Sequence, residues 1–548
     1  MMREKKKTEK SVPDKTAFDR LTNETIDRRS FLQKTAKIAE VLAGVSLLGP
    51  FPAIVGCSRN EREGPSTPTP PKTLSYPFEL GIASGDPLPD GVVLWTRLVP
   101  QGQAMPPESA DVTWEVAEDE SFKRIVQQGT YMAEPEYAHS VHAEVSGLQP
   151  DQWYYYRFKV NNEISPTGRT KTIPAAGTPV DQLNIAFASC QNYTAGYYTA
   201  YDHLVNEDLD VVFFLGDYIY EGSAQGGIGR GHLPRNEVRT LNEYRIRYGQ
   251  YKSDPSLQAA HAAFPWIVTL DDHEVKNNWG GEGPPYDNTA QFLSRRAAAF
   301  QAYYEHMPIR KSSLPDDVNM QLFRRFRYGN LVEFNVLDTR QYRTDFACGG
   351  GIHSDCPERL DPTRTILGED QESWLFDGLR SSSAQWNVLA QQVMMAQDDR
   401  QESPGTAFGM DKWDGYTATR DRLFDVVKEH NIDNMVVLTG DSHKNWVNDL
   451  KEDFNEPDSQ TLGTEFMGTS ISSGGNGSDF PNHASTILAE NPHIKFYNAQ
   501  RGYVRCSITP EHWQTDFRIL PYVDAPGAGI KTRASFVVEQ NNPGAVQI

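Results

Sequence analysis

Four short apolar runs in this chain end at side chains that bind metals or move protons. Residues 183–190 finish in Phe187-Ala188-Ser189-Cys190, and the run 211–215 is followed by Gly216-Asp217-Tyr218-Ile219-Tyr220-Glu221. Residues 266–270 lead into Asp271-Asp272-His273-Glu274, and 435–438 lead into Gly440-Asp441-Ser442-His443. Short apolar runs of this kind read as buried parallel strands, and the ligands of open α/β sheets gather at strand carboxyl ends. Carboxylates, a phenolate, a thiolate and imidazoles meeting at one edge point to a metal site.

These residues need a scaffold of alternating strands and helices. The sequence predicts helices at 197–206, 241–251, 290–306 and 371–379, further strands at 331–337 and 386–393, and surface loops at 455–460 and 472–479. Residues 180–548 therefore read as an α/β layered catalytic domain. Before them, 75–175 gives β signals only: aromatic and β-branched runs at 92–96, 112–116 and 153–160 with turn residues between. The turn Ser146-Gly147-Leu148-Gln149-Pro150 before Trp153-Tyr154-Tyr155-Tyr156-Arg157 resembles that of a fibronectin type III or immunoglobulin-like sandwich. Ala175-Ala176-Gly177-Thr178-Pro179 marks the boundary. A chain of 548 residues is long enough for two or three domains.

The formal charge of −20, with a basic N-terminus, makes the folded body strongly acidic and argues against a nucleic-acid surface. Residues 1–57 read as a targeting segment. Arg28-Arg29-Ser30-Phe31-Leu32 before a mildly apolar stretch resembles a twin-arginine signal, with Asp27 and Gln33 as departures. Lys37, Glu40 and two prolines in that stretch argue against a permanent membrane span. Ile54-Val55-Gly56-Cys57 resembles a lipobox, which would lipidate Cys57; simple cleavage nearby is the alternative. The Pro/Ser/Thr-rich stretch 58–74 is a suitable tether. Of five cysteines, Cys348 and Cys356 flank a Gly-rich loop and can form a local disulfide, while Cys506 reads as packing within a strand. That leaves Cys190 to be protected by burial or by a metal.

Several segments in order resemble the PhoD-type alkaline phosphatases. They are Phe78-Glu79-Leu80-Gly81-Ile82-Ala83-Ser84-Gly85-Asp86-Pro87 with Val93-Leu94-Trp95-Thr96-Arg97-Leu98, then Phe187-Ala188-Ser189-Cys190-Gln191, and then the three motifs at Asp217, Asp271 and Asp441. The resemblance spans nearly everything after the tether. It implies a metallophosphatase α/β/β/α sandwich whose site holds ferric iron (Fe3+) and calcium (Ca2+). Asp217 is then the bridging ligand, Tyr220 a phenolate to iron as in purple acid phosphatases, and Cys190 a second anionic donor. Asp272, Asp441 and Asn277 suit the calcium side, since calcium takes oxygen. His273 matches the histidine of the metallophosphatase Asn-His-Glu motif, which stabilises the transition state or protonates the leaving oxygen. Asp272 and Asp441 stand where other metallophosphatases have Asn and His. His443 reads as a ligand or as a support for one, and Arg340 as a holder of a phosphate oxygen or a structural ion-pair partner.

The function expected is an exported phosphomonoesterase and phosphodiesterase, periplasmic or extracellular and lipid-anchored if Cys57 is acylated. Its partners would be small phosphate esters, or phospholipids for a phospholipase D-like activity, and the twin-arginine translocase during export. A monomer is expected. A surface-binding protein with a degenerate metal site is the rival of another class.

Overall fold

The computed structural model describes residues 75–100, 105, 107–224, 226–281, 283 and 289–548. The expected twin-arginine signal, Cys57 and the tether lie outside them. Residues 78–98 and 107–548 cluster as one compact unit, and the description that follows is of that unit.

Two sheets stack face to face. Leu183–Ala188, Val211–Phe214 and Pro265–Val268 run parallel at the centre of a ten-stranded sheet. The antiparallel strands Arg501–Ile508, His512–Leu520, Lys531–Glu539 and Asn542–Gln547 extend it on one side. In the second sheet, of seven strands, Val332–Val336, Trp386–Ala390, Met435–Thr439 and Thr461–Met467 lie parallel.

Strand side chains alternate between faces, and the burial follows. Ile185, Phe187, Val211 and Phe213 pack between the sheets against Phe334, Val336, Val388 and Val436. Their neighbours Ala186, Ala188, Val212 and Phe214 face an outer layer that includes Tyr201, Tyr244, Leu257 and Phe300. Those four come from the helices Thr199–Leu204, Leu241–Lys252, Pro255–Ala263 and Thr289–His306. On the far face of the second sheet lie Gly368–Ser381 and Thr417–Glu429. The layers are therefore α/β/β/α, as the sequence led us to expect. Local signals set helix starts: Thr240 and Glu243 form a reciprocal capping box, and Asp254 caps the helix that Pro255 begins.

The N-terminal β region divides its strands between two sheets. Ile82–Leu88 pairs in parallel with Pro265–Val268 and leads on to Gly91–Arg97 and Ser140–Val145, so these three complete the ten-stranded sheet. Ala110–Ala117, Ile125–Ala133, Trp153–Val160, Glu163–Ile164 and Gly168–Lys171 form a separate five-stranded sheet. Cys348 and Cys356 are disulfide-bonded, and Cys506 is buried in its strand. No helix among the described residues is long and apolar enough to cross a membrane.

Candidate metal centre

Three of the four strand-end motifs turn sharply as their strands stop. Cys190, Asp217, Asp441 and His443 all have left-handed backbone, with φ of 59°, 57°, 60° and 59°. Such a conformation costs a non-glycine residue about 1 kcal/mol or more and persists only where the surroundings fix it. Here they do. Cys190 N–H donates to the Gly216 carbonyl and Gln191 N–H to that of Asp217, both at 3.0 Å. The buried Glu274 carboxylate accepts the N–H groups of Asp217 (3.1 Å), Tyr218 (2.5 Å) and Asp271 (2.8 Å), tying two motifs together. Gly216, at φ 104°, must be glycine: a Cβ there would lie 2.4 Å from Asp271 Cβ.

These turns bring side chains from both sheets together. Ligand atoms of Cys190, Asp217 and His443 lie within 4.8 Å of one another; so do those of Asp217, Asp272 and His273, and those of Asp271, Asp272 and Asp441. Asp217 belongs to the first two groups and Asp272 to the last two, so the groups adjoin. Tyr220 joins the first: its hydroxyl is 2.8 Å from Asp217 Oδ2, 3.0 Å from His443 Nε2 and 2.7 Å from Ser473 Oγ.

His273 Nδ1 meets Glu221 Oε2 at 2.6 Å, and Glu221 Oε1 accepts the Asn277 N–H at 2.8 Å. The side chain of Asn277 sits at the exposed rim, and it is the Asn278 N–H that reaches Asp272 Oδ2, at 2.6 Å. Arg340 is wholly buried among carboxylates, with Nε on Asp271 at 2.6 Å and Nη1 on Asp411 at 2.7 Å. Residues flanking Tyr220 are held in place: Arg247 donates to the carbonyls of Tyr220 and Gly222, and His232 bonds Tyr251 and Gly222.

The electrostatics test whether these residues fit cations. Burial, and then repulsion from Asp272 and other carboxylates, pushes Asp217 and Asp271 well above the ordinary range, although His273 and Arg340 pull the other way. Asp441 is raised to about 6, chiefly by burial. Asp272 is held low, because His273, Arg340 and the Asn278 N–H outweigh its burial. Burial and Asp217 raise both Cys190 and Tyr220. Buried oxygens Asp271 Oδ2 and Asp272 Oδ1 have no hydrogen-bond partner. Burial first, and Arg501 next, lower His443 to about 3, which leaves its imidazole neutral with a lone pair to give. Anionic groups that repel one another in a dry site, beside a neutral imidazole, fit positive ions in the protons' place.

Of the residues expected from sequence, Cys190, Asp217, Tyr220, Asp272, His273, Asp441 and His443 thus converge. The motifs contained Asp271, Glu221 and Glu274 without revealing their work, although a carboxylate four residues after Asp217 was one available signal. Asp411 and Ser473 lie outside every motif, and no signal marked them.

Two stacked sheets with adjoining carboxylate–imidazole groups at the strand ends of both are the arrangement of a metal-dependent phosphatase. The chain belongs to the PhoD-like phosphatase family, matching it over residues 185–517 and that family's N-terminal domain over 64–174. It is 51% identical over 533 residues to alkaline phosphatase D of Bacillus subtilis (strain 168), spanning 95% of this chain and 89% of that protein. The solved structure of PhoD superposes with a TM-score of 0.85 at 53% identity, covering 87% of this chain and 93% of the other. The chain is a phosphoesterase with the fold and activity that the motif resemblance implied.

Proposed function

We propose that this phosphoesterase works outside the cytoplasm, on organic phosphate mono- and diesters, with ferric iron and calcium at its centre. The observation that carries the metal assignment is the adjoining set of ligand groups, one that brings a thiol and a phenol to a carboxylate and an imidazole and one all carboxylate. Cys190, Asp217, Tyr220 and His443 would hold iron, which thiolate and phenolate suit. Asp271, Asp272 and Asp441 would hold calcium, with Asn277 at the rim. When bound, the cations would neutralise phosphoryl oxygens, favour hydroxide as nucleophile and stabilise the leaving alkoxide.

The chain's own residues do the rest. Asp217 is shared between groups and spaces them. Glu221 engages His273 Nδ1, which would leave Nε2 to give a proton to the leaving oxygen. Arg340, with two of its three nitrogens on Asp271 and Asp411, orders the carboxylates rather than the phosphate.

Arg28-Arg29 supports export by the twin-arginine route, which carries folded proteins and so lets iron load first; acylation of Cys57 would anchor the product. Two measurements test the reading. A visible charge-transfer band lost in Tyr220→Phe supports iron and phenolate, whereas zinc or manganese alone with no band contradicts it. Replacing Arg28 and Arg29 by Lys should trap the protein in the cytoplasm; unchanged export of that variant contradicts the route.

A further inference from the structure

We propose that Asp411 is a positioning residue for the Asp271, Asp272 and Asp441 group, acting through Arg340. This rests on the reading of that group as a cation site. The Arg340 guanidinium has no exposed surface. Two of its nitrogens are taken, Nε by Asp271 Oδ1 at 2.6 Å and Nη1 by Asp411 Oδ1 at 2.7 Å. Its Nη2 has no hydrogen-bond partner and stands 3.8 Å from Asp272 Oδ1 and 4.0 Å from Asp441 Oδ1. A small shift of the guanidinium would put Nη2 onto those oxygens, where it would compete with the cation they are placed to hold. Asp411 opposes that shift. With Asp271 it grips a planar fork of donors from two sides, a geometry that fixes the plane as well as the charge.

Asp411 is itself delivered by a built lobe. Arg343 Nη1 donates to its Oδ1 at 2.7 Å and to its carbonyl at 3.1 Å. The preceding residue, Met410, donates its N–H to the Gly351 carbonyl at 2.8 Å and packs with Ala347, Cys356 and Phe408. The strand pair Ile352–His353 with Phe408–Gly409 and the Cys348–Cys356 disulfide close the same lobe. The carboxylate is thus placed by contacts that owe nothing to the strand-end motifs.

The test is calcium binding to metal-stripped full-length protein, read by titration calorimetry, with thermal unfolding of the metal-free protein as the check on folding. Asp411→Asn keeps the side chain's size and removes its charge. We expect calcium affinity to fall roughly tenfold and Asp411→Glu to recover it. Arg340→Met removes the competitor, so adding Asp411→Asn in that background should cost nothing further. The double variant removes the buried Arg340 charge, and Arg343 keeps the carbonyl of residue 411 as an acceptor, so it remains a usable test if Asp411→Asn alone fails to fold. Wild-type affinity in Asp411→Asn, or weaker binding by the double variant than by Arg340→Met, would overturn the proposal. Absence of calcium binding by the wild type would overturn the cation-site reading itself and the proposal with it.

Discussion

Replacing Glu221 by Gln isolates proton handling from metal binding. Glu221 and His273 are 5% and 20% exposed at the side chain, and the Oε2 to Nδ1 distance is 2.6 Å. Gln can keep the second contact, from the Asn277 N–H, because its amide oxygen still accepts. It loses the charge that fixes the ring and supports a protonated imidazole. The difference between a charge-assisted and a neutral hydrogen bond is about 1–2 kcal/mol, or roughly 5- to 30-fold in rate. If His273 protonates the leaving oxygen, the loss should depend on the leaving group. A nitrophenolate departs without a proton, whereas a simple alkoxide does not. The assay is kcat for a nitrophenyl ester and an alkyl ester of the same phosphoryl charge. We expect the full loss on the alkyl ester and little on the nitrophenyl one, with His273→Asn losing about 10²–10⁴-fold on the alkyl ester. An equal loss on both esters, or none on either, would refute the role given to the pair.

Gly216→Ala should destabilise the fold by about 2–4 kcal/mol, since it combines left-handed strain with a clash against the Asp271 backbone; denaturant unfolding within 0.5 kcal/mol of wild type, about the range of a neutral surface change, would contradict this. Stability should also fall with acid through His142. Burial, with Lys252 adding, lowers it to about 4 despite the Ile309 carbonyl 3.2 Å away. The unfolded chain takes up that proton below its ordinary value while the fold refuses it. The contribution is therefore whole above the ordinary value and is lost as pH falls from there toward 4. It amounts to at most about 3–4 kcal/mol, and unfolding near pH 7 and near pH 5 should show a shallower slope in His142→Gln; an unchanged slope counts against it. Stripping cations should lower the melting temperature, and adding them back should restore it in proportion to the logarithm of their concentration; a melting temperature indifferent to cations would contradict the fit of the buried carboxylates to metal.

Much of this molecule was legible in its sequence because the informative residues sit where strands stop. Apolar runs ending in Asp217, in Asp271 and Asp272, and in Asp441 announced an α/β domain and the converging ligands, while the four-layer order came from the family resemblance. The helices at 241–251 and 290–306 were read to within a residue of the observed Leu241–Lys252 and Thr289–His306. Pairing was harder. Nothing in the composition of Ile82–Leu88 says that it lies beside Pro265–Val268, since a strand's partner is written in neither strand. Arg340 shows a similar limit. An arginine after a strand suits a phosphate as well as a carboxylate, and only the folded chain brings Asp411 to it from 71 residues away. Asn277 read as a ligand because it follows the Asp271 motif closely, yet the turn there presents its backbone to Glu221 and leaves its side chain at the rim.

The most direct test of the centre is elemental analysis and phosphodiester hydrolysis on the same samples of wild-type protein and Asp217→Ala. Asp217 is common to two ligand groups, so its loss should remove bound metal from both along with turnover. We expect more than one cation per wild-type chain, with depleted metal and negligible hydrolysis in the variant. Full turnover by metal-free wild type, or a variant that keeps both its metal and its activity, would contradict a centre organised around Asp217.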